Sequence, residues 1–283
     1  MKFCILTEDE FRNFSKSCPY ESFMQTVELA HLKEELGSKI HYVGVKVDDN
    51  IIASSLMLED TTILGKKMFY APRGLLVDYH NKELLTFFTN NLKKYIKKQG
   101  GFILTIDPNV IYRVRTSDGE IDKNNPSDNE SIQNLKDLGY KHYGFNIYLD
   151  SRQARWCYRF TLDQDYESKK VKFSKSTRKN IDFCIKKGLM VREGTIDDLK
   201  VMAEIFEVTS KRRDFFSRSL DYYQKMYKHM KDLMEQDKLM TKIQLKKDAD
   251  NTDRVVSNTE KMAVLITKMA TANSRSSNET IEI

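Results

Sequence analysis

The chain has 283 residues, of which 40% are apolar, 11% aromatic and 31% charged, so it can bury a substantial core and lacks the low-hydrophobicity signature of disorder. No apolar run approaches the roughly 18 residues that a membrane-spanning helix requires, and Met1 to Asp9 acquires acidic residues where a secretory leader needs an apolar stretch, so the expected location is the cytoplasm. A net charge of +6 with an isoelectric point near 8.9 favours an anionic partner mildly; where the charge sits matters more than its sum.

In chain order, the apolar spacing from Val27 to Leu36 fits a helix capped by Gly37. Lys39 to Val47 alternates at period two, Asp48-Asp49-Asn50 reads as a turn, and Ile51 to Leu58 continues as the partner strand of a hairpin. A strand follows near Met68 to Tyr70. Asn81 then caps a helix whose Leu84, Leu85, Phe88, Leu92, Tyr95 and Ile96 share one face, ending at Gly100-Gly101. Phe102 to Ile106 is a short buried strand stopped by Asp107-Pro108, and a polar loop leads to a small helix closed by Gly139. A second segment restarts with a strand at Trp156 to Leu162. A very basic helix from about Ser174 to Lys187 follows, terminated by Gly188, with Val191 in the next strand. Thr195 with Asp198 approximates a capping box for a helix through Arg213, and another helix runs from about Leu220 into Met234. Beyond Leu245 the chain turns polar, with a turn-like Asp248 to Asp253, a helical stretch around Thr259 to Ala272, and Glu279 to Ile283 alternating weakly like the opening of a strand. Mixed strand and helix order argues for an α/β fold with mixed sheets, and the tail reads as a truncated last unit.

Several chemistries find no support. Cys4, Cys18, Cys157 and Cys184 are widely separated and read as buried reduced thiols; His31, His41, His80, His142 and His229 show no ligand spacing, and no metal is expected. There is no G-x-S-x-G, no H-E-x-x-H and no Walker loop. The most concentrated charge lies from Lys169 to Lys187, where Phe173, Ile181, Phe183 and Ile185 would provide an inner side. That helix either grips a polyanion or is a solvated face.

Five ordered phrases resemble the FemXAB family. They are Cys18-Pro19-Tyr20 with Phe23-Met24-Gln25-Thr26; Tyr70-Ala71-Pro72-Arg73-Gly74-Leu75-Leu76-Val77-Asp78-Tyr79; Ile106-Asp107-Pro108; Leu138-Gly139-Tyr140; and the segment from Arg178 to Val191. The resemblance runs from Met1 to about Tyr223. It implies tandem GNAT-like subdomains, the first over residues 1–150, an incomplete second over 151–245, and a short helical arm or tail over 246–283. It also implies an aminoacyltransferase that moves an amino acid from aminoacyl-tRNA to the stem peptide of a muramyl-pentapeptide precursor, either lipid II or its UDP-linked form. Peripheral membrane contact through a lipid-linked substrate and a sibling Fem-type protein are further implied partners. No cofactor is expected: the G-x-G/A pyrophosphate loop of coenzyme A users is not visible. The alternative is a catalytically inactive remnant that binds precursor or a partner enzyme.

By motif alignment the resemblance assigns Lys33, and Arg218 with Tyr222, to the precursor's phosphates; plain surface charge is the bland reading of each. Asp107, at the carboxyl end of a buried strand, would be catalytic by orienting the acceptor amine, or else simply an Asp-Pro turn. Lys175, Arg178 and Lys179 would contact the tRNA acceptor stem. Arg73 and Asp78 read as a structural pair around the Gly74 turn. Trp156, Phe215, Phe216, Tyr222 and Tyr223 read as core before base-stacking platforms.

Overall fold

The computed structural model of the protein describes residues 1–145 apart from 63, 117, 118 and 126, then 166–249 and 279–282; side chains are described as far as residue 235, with 234 omitted. The chain divides into two units, Met1–Arg155 with Ser277–Ile283, and Trp156–Ser276.

The first unit is built on β1 (Lys2–Ile5), α1 (Glu8–Ser17), a 3-10 turn (Phe23–Gln25), α2 (Val27–Glu35), β2 (Lys39–Val47), β3 (Asn50–Thr61), β4 (Lys67–Ala71), α3 (Lys82–Lys98), β5 (Gly101–Ile106), α4 (Asn129–Asp137) and β6 (Lys141–Phe145). Local chemistry sets most boundaries. Asp48 and Asp49 both take positive φ, 47° and 64°, the left-handed pair that a two-residue hairpin needs to match strand twist. Asn81 Oδ1 accepts the Leu84 N–H at 3.0 Å, closing the amino end of α3. Strands β1 to β4 pair antiparallel in sequence, α3 crosses over, and β5 joins β4 in parallel. The last strand, β7 (Glu279–Glu282), inserts antiparallel between β5 and β6, giving the order β1-β2-β3-β4-β5-β7-β6.

Side-chain alternation sorts the two faces of this sheet. Val43, Val45, Phe69 and Leu104 pack with Leu85, Phe88 and Leu92 of α3 in one buried cluster. Tyr42, one residue out of phase with Val43, points to the other face and stacks on Phe11 of α1 at 4.7 Å. Neither β1, α1 nor β6 is anticipated from periodicity: β1 has only four residues, and α1 and β6 carry few apolar ones. A signal for α1 is nonetheless present: Thr7 and Glu10 form a reciprocal capping box, Glu10 N–H donating to Thr7 Oγ1 at 3.2 Å and Thr7 N–H to Glu10 Oε2 at 2.9 Å.

The second unit, in its described part, is helical: α5 (Tyr166–Lys172), α6 (Lys175–Lys186), α7 (Asp198–Arg213) and α8 (Leu220–Ala249). Phe206 of α7 meets Tyr223 of α8 at 5.8 Å. Two expectations are corrected. Val191 lies in irregular chain and is 67% exposed, since among the described residues no strand pairs with it. Helix α8 continues far beyond Met234 to Ala249, so Asp248 and Ala249 are helical where the turn is expected to begin. The anticipated inner side of α6 is also incomplete, with Phe183 and Ile185 59% and 60% exposed. Of the cysteines, Cys18 is buried as expected, Cys4 is half-buried and Cys184 is exposed. The Trp156 to Leu162 strand, Cys157 and the Thr259 to Ala272 helix fall outside the described residues. No helix among the described residues is long and apolar enough to cross a membrane.

A cluster of four polar side chains, two of them buried, ties α3 to the sheet. His41 and Glu59 are each 6% exposed; His41 Nε2 lies 2.8 Å from Glu59 Oε2, Tyr95 Oη lies 2.7 Å from His41 Nδ1, and Lys67 Nζ lies 2.8 Å from Glu59 Oε1. Burial pushes the His41 imidazole below its ordinary range, against the pull of Glu59. Burial alone would raise the Glu59 carboxyl, but the bonds from Lys67 and His41 outweigh it and hold the group below its usual value. Both signs point the same way. The unfolded chain takes up the His41 proton at higher pH than the folded one, so stability is full above about 6.5 and falls as pH drops through that range. A further loss follows as pH falls through the folded-state titration of Glu59. The urea midpoint should therefore be lower at pH 5.5 than at 7.5, and His41→Gln should flatten that difference.

Candidate functional site

Three of the five sequence phrases, far apart in the chain, converge at the carboxyl ends of the parallel pair β4 and β5. Ala71 and Ile106 are register partners, so Pro72 and Asp107 leave the sheet at the same level. Asp107 is 1% exposed, and burying a carboxylate is costly unless its oxygens are bonded. Tyr70 Oη donates to Asp107 Oδ2 at 2.8 Å, and the Arg73 N–H donates to Oδ1 at 2.6 Å. The second bond holds Arg73 at φ 53°, a left-handed conformation that a non-glycine residue adopts only when its surroundings impose it. Gly74 N–H closes the same turn on Ala71 O at 3.1 Å.

Gln25 fills the adjoining gap. The β3–β4 ladder ends at the Leu58–Tyr70 pair, and the next contact on that edge of β3 is an isolated bridge between Ser54 and Leu76. Between them the Leu56 N–H would be left without a partner, and the Leu56 carbonyl with only the Ser55 hydroxyl, at 3.2 Å. The Gln25 amide supplies both: Leu56 N–H donates to Oε1 at 2.8 Å, and Nε2 donates to Leu56 O at 3.1 Å and to Pro72 O at 2.7 Å. Gln25 is fully buried. A Cβ at position 74 would stand 3.0 Å from Gln25 Nε2 and 3.1 Å from Ser55 Oγ, tight enough to push on the buried Gln25 amide. The phrase closes on itself at Tyr79, whose hydroxyl donates to Leu75 O at 2.8 Å. Asp107, not Asp78, holds the main chain of Arg73; Asp78 accepts from His80 N–H at 2.9 Å.

Lys33 lies half-buried on α2 in the first unit. Arg218 and Tyr222 are brought together in the second, around the start of α8. The Arg218 guanidinium carbon sits 5.0 Å from the Tyr222 ring centroid and 5.1 Å from that of Phe216, and Ser219 Oγ accepts the Tyr222 N–H at 3.2 Å. Phe216 is thus not core but 79% exposed beneath the cation, while Tyr223 is buried as expected. A guanidinium lying on ring faces keeps its in-plane N–H groups available for a bidentate anion.

On α6, Lys175 and Lys179 are exposed and one turn apart, whereas the Arg178 guanidinium donates to Val171 O at 2.7 Å and so also caps α5. The wider basic cluster is thinner than its sequence suggests. Lys169 is 6% exposed, and Lys170 pairs with Asp182 at 2.7 Å. Among the described residues no group of three or more His, Cys, Asp or Glu is gathered as a metal site.

An antiparallel run of strands joined through a crossover helix to a parallel pair, with turns converging at the carboxyl ends of that pair, defines a mixed α/β, GNAT-like protein. A crystal structure of FemX superposes with a TM-score of 0.66 at 24% identity, covering 82% of this chain and 55% of that one. The FemAB family model matches residues 6–282, and the chain belongs to that family. Aminoacyltransferase FemA of Staphylococcus epidermidis is 35% identical over 235 residues, 82% of this chain and 56% of the relative, and FemA of Staphylococcus aureus gives the same figures. The chain spans about half the length of these curated relatives.

Proposed function

We propose that the protein is an aminoacyltransferase that moves an amino acid from aminoacyl-tRNA to the stem peptide of a peptidoglycan precursor in interpeptide bridge synthesis. The observation that carries the reading is FemAB membership, with three of the motif phrases meeting at one turn at the carboxyl ends of β4 and β5. An aminoacyl ester is already activated. Its transfer calls for an amine held against the carbonyl and for donors to the developing oxyanion, more than for a nucleophile.

The precursor, lipid II or its UDP-linked form, presents phosphates to Lys33 and to the ring-stacked Arg218 with Tyr222. Exposed Lys175 and Lys179 suit the backbone of a tRNA acceptor stem, with Arg178 shared between that role and the end of α5. Residues 1–150, whose sheet also takes in the 279–282 strand, serve as the first GNAT-like subdomain, with part of a second in 151–245 and an arm or tail in 246–283, and the cytoplasm is the compartment where charged tRNA is found.

Purified chain should transfer radiolabelled amino acid from total charged tRNA to precursor. Arg218→Ala and Lys33→Ala should each lower kcat/KM by about tenfold or more, the worth of a charge-assisted bond to phosphate. Transfer unaffected by both substitutions would remove them from the site. Retained precursor binding without transfer would favour the alternative, a binding protein; the exposed apolar side chains of α6 point that way.

A further inference from the structure

The amino ends of β4 and β5, opposite the Gln25–Asp107 turn, carry a second feature. In the connection from β3 to β4, Thr62 N–H donates to Lys66 O and Gly65 N–H to Thr62 O, both at 2.8 Å. Leu64 projects from it at 84% exposure. Beside it the β4–β5 ladder slips between Lys67 and Met68, which pair with Gly101 and Ile103, so Phe102 is bulged and 56% exposed. Lys66 Nζ lies 5.7 Å from the Phe102 ring centroid. Exposed Lys97 and Lys98 close the last turn of α3, directly before Gly100-Gly101, and exposed Lys94 stands one turn earlier. Of the two carboxylates at the end of β3, Glu59 is buried against Lys67, and Asp60 accepts from Ser38 Oγ at 2.7 Å.

We infer that this end of the first unit docks on an anionic lipid surface, with Leu64 and Phe102 entering the headgroup boundary and Lys66, Lys94, Lys97 and Lys98 meeting the lipid phosphates. A cluster of lysines around protruding apolar side chains is the combination that binds such surfaces peripherally. Nucleic acid would satisfy the lysines but offers nothing to an aliphatic side chain as exposed as Leu64, so the lipid surface fits better. Strand β4 separates the patch from the Pro72 turn by four residue steps, about 13 Å, so a bilayer here would leave the turn uncovered. The inference does not depend on which reaction the chain catalyses.

The test is sedimentation of the full chain with phosphatidylcholine vesicles, alone or with phosphatidylglycerol admixed, with no precursor or tRNA present. Binding is expected only to the anionic vesicles. It should weaken about tenfold or more in the double variant Lys97→Gln, Lys98→Gln, and about fivefold in Leu64→Ser. Because these positions are exposed, the fold should survive. Leu64→Trp adds a readout that removes no charge: its emission should shift to the blue with anionic vesicles. No sedimentation with anionic vesicles, or binding unchanged in the double variant, would overturn the inference. So would loss of total-tRNA binding in the double variant with vesicle binding intact, which would assign the lysines to RNA.

Discussion

Replacing Gln25 with leucine should lower the free energy of unfolding by about 3–5 kcal/mol, because a side chain of similar size would strand several buried backbone groups at once. The Leu56 N–H, the Leu56 carbonyl and the Pro72 carbonyl all bond to this one amide. Each loses a partner in a place closed to water. Leucine regains some apolar burial, and the Ser55 hydroxyl still donates to the Leu56 carbonyl at 3.2 Å, which is why the cost stays below the sum of three unsatisfied groups. Gln25→Glu separates shape from chemistry. A carboxylate can accept from Leu56 N–H but repels both carbonyls, whereas the protonated acid can still donate to one of them. The folded state therefore favours the protonated form, and the variant's deficit should grow as pH rises from 5 to 7, against a wild-type reference taken at the same pH. Urea denaturation at the two pH values measures both effects. A loss under about 1 kcal/mol for Gln25→Leu would mean that the β3 edge finds other partners when the amide is gone.

What was legible in the sequence was local. The Asp48-Asp49 hairpin, the Asn81 cap and the Gly139 stop depend on neighbours within a few residues, and the structure places each as expected. The α3 face was readable because its period is long and regular. The Phe102 bulge could not be read, since it arises from a slip in pairing with a strand more than thirty residues earlier in the chain. The position of β7 was illegible for the same reason: its alternation suggests a strand, but nothing local says that it enters between β5 and β6. At the site the letters were present and their physics was not. Gln25, Gly74 and Asp107 stand out as members of phrases, yet only their convergence shows that Gln25 completes a sheet edge and that a Cβ at position 74 would push on it. Charge was the least legible property, since sequence counts Lys169 and Lys170 as surface cations while one is buried and the other paired.

In the assay of the proposed transfer, Asp107→Asn should stay within about threefold of wild type with an unchanged pH profile, whereas Asp107→Leu should lose most transfer and about 2–4 kcal/mol of stability. Both Asp107 oxygens accept hydrogen bonds from the protein, one from the Tyr70 hydroxyl and one from the Arg73 N–H. Asparagine can keep both contacts, its oxygen taking the Arg73 N–H and its amide donating to the Tyr70 oxygen. Leucine keeps neither, and with the second bond goes the restraint that holds Arg73 at positive φ. A carboxylate that removed a proton from the acceptor amine would behave otherwise. Asparagine would then cost about 10²–10⁴ in kcat and abolish the acidic limb of the pH profile. The two substitutions thus distinguish an aspartate that shapes the turn from one that performs proton transfer. The geometry favours the first, because a base whose two oxygens are both engaged by the fold must give up one of those bonds before it can reach an incoming amine.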